Sequence, residues 1–330
     1  MYNQIKNIIL SKKNDIDNQT LYYFTNYFYV LVERKLIPNE IKLEALIDNA
    51  LYYAQEVVFY DENSDIYKKL GPDTKGLRDP ETKKIYVRNN LEDPLREMVV
   101  YHELHHAVQT NRNNDEVGIN QTLNVGRMIM EAQTQWFAEE VYKTVYNVDF
   151  EEKKIPSKQL RMLGNGTIVS SLHNYEMYDA ILSKLAIILD VSKDYFVSIN
   201  FLVDKDKGLK LLEARYNEKA KEKGIQLSFD ELLYKIDYIY VVDYIAYKNG
   251  EDKNTVLSGR ETEYAYEIYP NRGEKLSLSK QKEYIDYLDL TLVLALIDNG
   301  FEYEEFSKYI IDNDRRKIFS DYAQENRNTR

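Results

Sequence analysis

The stretch from Pro94 to Thr110, PLREMVVYHELHHAVQT, constrains this chain more than any other. Leu95, Met98, Val99, Val100, Leu104, Ala107 and Val108 are apolar on more than one side of a helix, so the segment predicts a buried helix. Asp93 is a suitable N-cap, and Pro94 fits the first helical position. Into this apolar helix the chain sets His102-Glu103-Leu104-His105-His106. Three of the four histidines in 330 residues fall in that pentapeptide. Residues four apart share one helix face. His102 and His106 therefore present two imidazole nitrogens to one metal ion, with Glu103 beside them to polarise a water on that metal. The competing account is a buried helix with incidental polar residues, which would require a partner for every imidazole and for the carboxylate. His105 is one position off the His102/His106 face and is expected to pack or support, not to ligate.

Two histidines do not complete a catalytic zinc site, which usually has three protein ligands and one open position. The chain has no cysteine, so disulfides and thiolate sites are excluded and His, Asp and Glu remain as ligands. Downstream candidates are Glu131, Glu139, Glu140 and His173. Glu131 is preferred, because it lies in the most apolar part of a helix expected over Gly126 to Tyr146. A carboxylate there is costly unless neutralised, which a metal ion would do; the alternative is pairing with a nearby Arg or Tyr. Glu139 and Glu140 sit where that helix becomes more polar and are expected to be solvated.

A strand, an H-E-x-x-H helix, a connector and a helix offering a glutamate resemble the zincin metallopeptidases of the gluzincin type. His102, Glu103, His106 and Glu131 match that pattern, over roughly residues 84 to 146. The resemblance implies Zn2+, peptide-bond hydrolysis and a cleft between two subdomains. One position departs from it. Many gluzincins carry an Asp four residues after the glutamate ligand, orienting a histidine, and this chain has Gln135. The metzincin continuation is absent, since His106 is followed by Ala107-Val108-Gln109-Thr110-Asn111-Arg112. Related enzymes often draw an oxyanion donor from a helical second subdomain. That implies His173 or Tyr178 here, with Tyr175 behind them.

The rest of the chain is expected to be mainly α, in the α+β class: a zincin-like catalytic core with a small sheet and a helical C-terminal subdomain. Residues 1–55 read as helices packed on the core, with apolar periodicity in Leu21 to Leu36 and in Glu40 to Tyr53. Residues 56–150 form the expected core. Glu56 to Tyr60 reads as a strand, and Tyr67 to Thr74 as a loop around Gly71-Pro72. Gly76 to Arg78 and Lys84 to Arg88 read as a hairpin turning at Asp79 to Thr82. That hairpin, just before the motif helix, has two readings: an edge against which an extended substrate pairs, or a simple structural hairpin. The sheet is expected to stay within about residues 55 to 90. Asn111 to Asn124 is polar and irregular, as a rim or lid would be.

Residues 151–330 read as a helical subdomain closing the cleft. Leu163 to Gly166 is a turn. Tyr178 to Leu189, Leu227 to Tyr247, Leu288 to Ile297 and Phe301 to Tyr309 are helical, and Lys205 to Lys223 is a charge run on a solvated helix face. A net charge of −11 argues against general nucleic-acid binding. No signal peptide or membrane-length apolar run is read, so a cytoplasmic protein is expected. Thirty tyrosines with abundant Lys, Asn and Ile suit an AT-rich bacterial genome. Three functions are compatible with these residues. One is a zinc metallopeptidase acting on a peptide or protein, with Glu103 as general base. The others are a non-catalytic metal-binding interaction protein and a metal-dependent hydrolase of non-peptide amides or esters.

Overall fold

The computed structural model describes residues 1–70, 74–91, 93–112, 117–119, 126–148, 160–162, 168–170, 182–202 and 205–233, with 236, 297, 302, 304, 320, 321 and 324 besides. It is mainly helical, with a small three-stranded sheet. The chain forms two compact units. One comprises residues 1–118, 133–155 and 194–205, the other 119–132, 156–193 and 206–330.

In the first unit, α1 (Tyr2–Lys12), α2 (Asn18–Glu33) and α3 (Leu43–Tyr53) precede strand β1 (Glu56–Tyr60). Asp17 caps α2 by accepting from the Thr20 amide at 2.9 Å. The helix is apolar almost all round, and Phe24, Tyr27, Phe28, Val30 and Leu31 are fully buried. Next come α4 (Asp65–Leu70), β2 (Gly76–Asp79), β3 (Lys84–Arg88) and α5 (Leu95–Gln109). The segment expected as a loop from Tyr67 thus begins inside a short helix. Its Ser64 side chain accepts from the Tyr67 amide, giving the turn a cap.

The sheet order is β1-β3-β2, with β1 parallel to β3 and β2 antiparallel to it. Strand β3 is therefore central, and Ile85, Tyr86 and Val87 are buried. The Arg88 amide donates to the Lys75 carbonyl at 2.9 Å. Bonded pairs alternate along an antiparallel ladder, so the backbone groups of Gly76 and Arg78 point away from β3, outward from the sheet edge.

Helix α5 lies against β2 and β3 and against α2 and α3. Its cap residue is Pro94 and no side chain caps it, contrary to the expectation for Asp93, whose carboxylate pairs with Arg96 at 3.1 Å. The other end is held more firmly. Asn49 of α3 donates its amide to the carbonyls of Val108 at 2.9 Å and Thr110 at 2.6 Å, which satisfies acceptors that the end of a helix leaves open. Helix α6 (Arg127–Tyr146) is a single helix that runs unbroken through Ala132 and Gln133. Phe137, Ala138 and Val141 join the core of the first unit, as do Val197 of α8 (Lys193–Ile199) and Phe201.

In the second unit, β4 (Leu160–Met162) and β5 (Ile168–Ser170) pair antiparallel. Strand structure is thus not confined to residues 55–90. An apolar pattern three residues long is too short to mark a strand in sequence. Residues 182–189 form α7, whose end is met by Arg215 donating to the Leu189 carbonyl at 2.9 Å. The charge run is α9 (Lys205–Lys223). It buries Leu209, Leu212, Tyr216 and Ala220 along one face and exposes most of its charges, as expected. A reciprocal Ser228–Glu231 box opens a helix at residues 229–233. The turn expected over 163–166, and most of the segments 236–247, 288–297 and 301–309, lie outside the described residues. Among the described residues, no helix is long and apolar enough to cross a membrane.

Candidate metal centre

His102 and His106 stand one turn apart on α5, with their rings 4.6 Å apart and nearly perpendicular. Their Nε2 atoms are 3.0 Å apart. Two imidazole nitrogens at that distance cannot both point lone pairs at each other without a proton or a cation between them. A tetrahedral ion with metal–nitrogen bonds of about 2.0–2.1 Å holds neighbouring ligand atoms about 3.3 Å apart, close to the separation found. Glu131 of α6 completes the group. Ligand atoms of His102, His106 and Glu131 all lie within 4.8 Å of one another, and all three residues are half-buried. The donor set of two imidazoles and one carboxylate fits a zinc ion with one position left open.

Glu103 points to the sheet edge. The outward amide of Arg78 donates to its Oε2 at 3.0 Å. This approach depends on Gly76. A Cβ there would collide with Val99 Cγ1 and come within 3.3 Å of Glu103 Cγ. The missing side chain therefore lets β2 lie against α5 at the position of the carboxylate. Nothing in the sequence pattern marks Gly76 for this role, since a glycine at a strand end is usually read as a turn signal.

His102 Nδ1 lies 3.1 Å from Gln135 Oε1, and Gln135 Nε2 donates to Glu139 Oε1 at 3.0 Å. Gln135, which stands where the gluzincin pattern has an aspartate, is thus beside a histidine. Glu139 and Glu140 are not simply solvated. Glu139 accepts from Gln135, and Glu140 is paired with Arg34 at 2.8 Å and Lys143 at 3.0 Å. The spacing of Glu131, Gln135 and Glu139 on one helix face is the sequence signal that could have linked them.

His105 is fully buried and faces away from the cluster. Its Nδ1 meets Tyr27 Oη at 2.6 Å, and its Nε2 lies 2.9 Å from Gln133 Oε1 and 2.6 Å from the Gln109 side chain. Burial pushes its pKa well below the ordinary histidine range, so the ring is neutral. It is packed between Phe137 and Phe201 and ties α2, α5 and α6 together. Tyr27, Gln109 and Gln133 were not singled out from sequence, because their role arises only when three helices meet. His173, Tyr175 and Tyr178 lie outside the described residues. Comparison with protein-family models, with curated proteins and with solved structures found no match.

Proposed function

We propose that this chain is a zinc-dependent metallopeptidase of the zincin type, with His102, His106 and Glu131 holding the ion and Glu103 as general base. The observation that carries this reading is the convergence of those three side chains, with Glu103 next to them on the helix and turned to an edge strand. A zinc ion in this group supplies a Lewis acid and lowers the pKa of a water that it holds. The protein's own residues do the rest. Glu103 takes the proton of the attacking water and returns it to the leaving amine. The Arg78 amide aims that carboxylate. Strand β2 is an edge strand of its sheet, the place where an extended chain would add in β fashion, beside the Arg78 amide that Glu103 already engages. That edge favours a peptide over a small amide or ester.

The test compares two substitutions. Zinc-loaded wild type is screened against a peptide library, and any cleaved peptide is then offered to the variants. Glu103→Gln is expected to lower turnover by about 10²–10⁴-fold while keeping zinc, because an amide cannot accept the proton. His106→Ala is expected to lose zinc and activity together. Turnover by Glu103→Gln near the wild-type rate rejects the mechanism. Zinc binding without cleavage of any peptide turns the reading towards a non-catalytic metal protein.

A further inference from the structure

The second unit holds a cavity of about 760 Å³ lined only by its own residues, from α7, α9 and the turn into α8. That volume lies within the roughly 300–1,000 Å³ of small-molecule sites. Ser183, Ala186 and Ile187 line it from α7, and their spacing puts them on one helix face. Lys219 and Lys223 line it from α9, one turn apart. Ser183 is only 1 % exposed, and its Oγ is buried with no hydrogen-bond partner among the described residues. A serine within a helix commonly bonds a carbonyl one turn back, and this one does not. Burying a hydroxyl is unfavourable unless something bonds it, and the protein around Ser183 offers nothing.

The other end of the cavity is charged and open. Asp190 lines it with a side chain 69 % exposed, and Lys193, Lys219 and Lys223 set three ammonium groups against that one carboxylate. Lys219 reaches Asp190 at 3.1 Å and Glu222 at 3.1 Å, and Arg215 reaches Asp190 at 3.2 Å. The Lys219 ammonium, with Arg215 and Lys223 behind it, holds the Asp190 carboxyl below the usual range, so the potential at this end is positive. Seven residues separate Ser183 from Asp190, about 10 Å at the helical rise. The wall between them is aliphatic, with Ala186 and Ile187, and among the described residues no aromatic ring lines the cavity. With carbon–carbon bonds of about 1.5 Å at the tetrahedral angle, an extended chain of about eight carbons covers that length. We infer that this cavity binds a small aliphatic acid, its carboxylate on the lysines at the mouth and a hydrogen-bonding group at its far end on the Ser183 hydroxyl. The inference is independent of the metal reading.

The test is calorimetric titration of the full chain with 8-hydroxyoctanoate and with octanoate, which lacks the terminal hydroxyl. Wild type is expected to bind the hydroxy acid about 3–10-fold more tightly, the worth of one hydrogen bond. Ser183→Ala is expected to bind the two acids alike. It should also melt no lower than wild type without ligand, because its hydroxyl has no partner to lose. Lys219→Met is expected to weaken both acids about equally, by about tenfold, and Lys223→Met is read in its place if circular dichroism shows that Lys219→Met does not fold. Asp190→Asn removes the like charge at the mouth and is expected to bind both acids more tightly. Asparagine tolerates the positive φ of 51° at that position.

No heat from either acid at about 10 mM, well above the millimolar range of weak ligands, overturns the inference. So does a preference for the hydroxy acid that survives in Ser183→Ala, since the far end of the ligand then lies elsewhere. Affinity unchanged in folded Lys219→Met or Lys223→Met places the carboxylate outside this cavity and overturns it too. A clear loss of ligand-free stability in Ser183→Ala shows that the hydroxyl serves the fold and not a ligand.

Discussion

Helix α5 carries two polar clusters that differ in how they are finished. Near its start, the Glu97 carboxylate is buried at 9 % exposure, and each oxygen has its own donor: Tyr23 Oη at 2.8 Å and Tyr146 Oη at 3.1 Å. Tyr22 in turn donates to Tyr146 at 3.2 Å. This cluster is closed, with acceptors matched to donors. Near the other end, His102, His106 and Glu131 bring acceptor atoms towards one another, half-exposed. The first arrangement compensates for burying a polar group. The second gathers lone pairs around a point that a cation would occupy. Both are built on the same helix, so the difference lies in what the neighbouring helices present: hydroxyl donors to Glu97, and an amide acceptor and a further carboxylate to His102 and His106.

The comparison breaks most visibly on added zinc. Free zinc at about 100 times its dissociation constant would stabilise the native state by about 2.7 kcal/mol. Wild type is therefore expected to melt at a clearly higher temperature with zinc, His106→Ala at an unchanged one, and Glu97→Gln with the full wild-type increment. If Glu97→Gln loses the zinc increment as His106→Ala does, the two clusters act as one and the distinction fails.

A smaller effect is expected at the contact between β2 and α5. Gly76→Ala places a methyl against Val99 and Glu103 and should cost about 1–3 kcal/mol in denaturant unfolding, as overpacking does. The zinc increment should persist, because no ligand is touched, while peptide cleavage should fall as Glu103 is displaced. Unchanged stability in Gly76→Ala means that the strand does not approach the helix as closely as described.

The smallest effect concerns the closed cluster and depends on pH. Burial raises the Glu97 pKa, against the opposing pull of the two tyrosine hydroxyls. The folded state therefore holds its proton to higher pH than the unfolded chain. Below the ordinary glutamate range both states are protonated and nothing is lost. As pH climbs through the window between the unfolded and the folded values, the unfolded chain ionises first and native stability falls; above the window the loss is constant. Glu97→Gln removes this term. Relative to wild type its stability should rise across that window, by no more than about 1 kcal/mol, the scale of one hydrogen bond. Chemical unfolding of both proteins at several pH values measures the difference, and a gap that narrows with rising pH contradicts it.

The sequence alone determined what is local. The spacing of His102 and His106, the buried character of α5, strand β1 and the arms of the β2–β3 hairpin all follow from repeats of two or four residues, which a chain displays without tertiary contacts. Glu131 stood out in the sequence as a carboxylate in the apolar part of its helix, and its carboxylate stands near both histidines. The tertiary structure decided which polar groups meet. Gln135 reaches His102 across 33 residues and Tyr27 reaches His105 across 78, and such pairings depend on how helices pack and leave no periodic signal. The same holds for Glu139, which reads as a solvated residue until Gln135 is seen to turn its amide towards it. Gly76 and the outward amide of Arg78 gained their role only when β2 was laid against α5. A residue's type and spacing set what it can do; the partner that satisfies it is chosen by the fold.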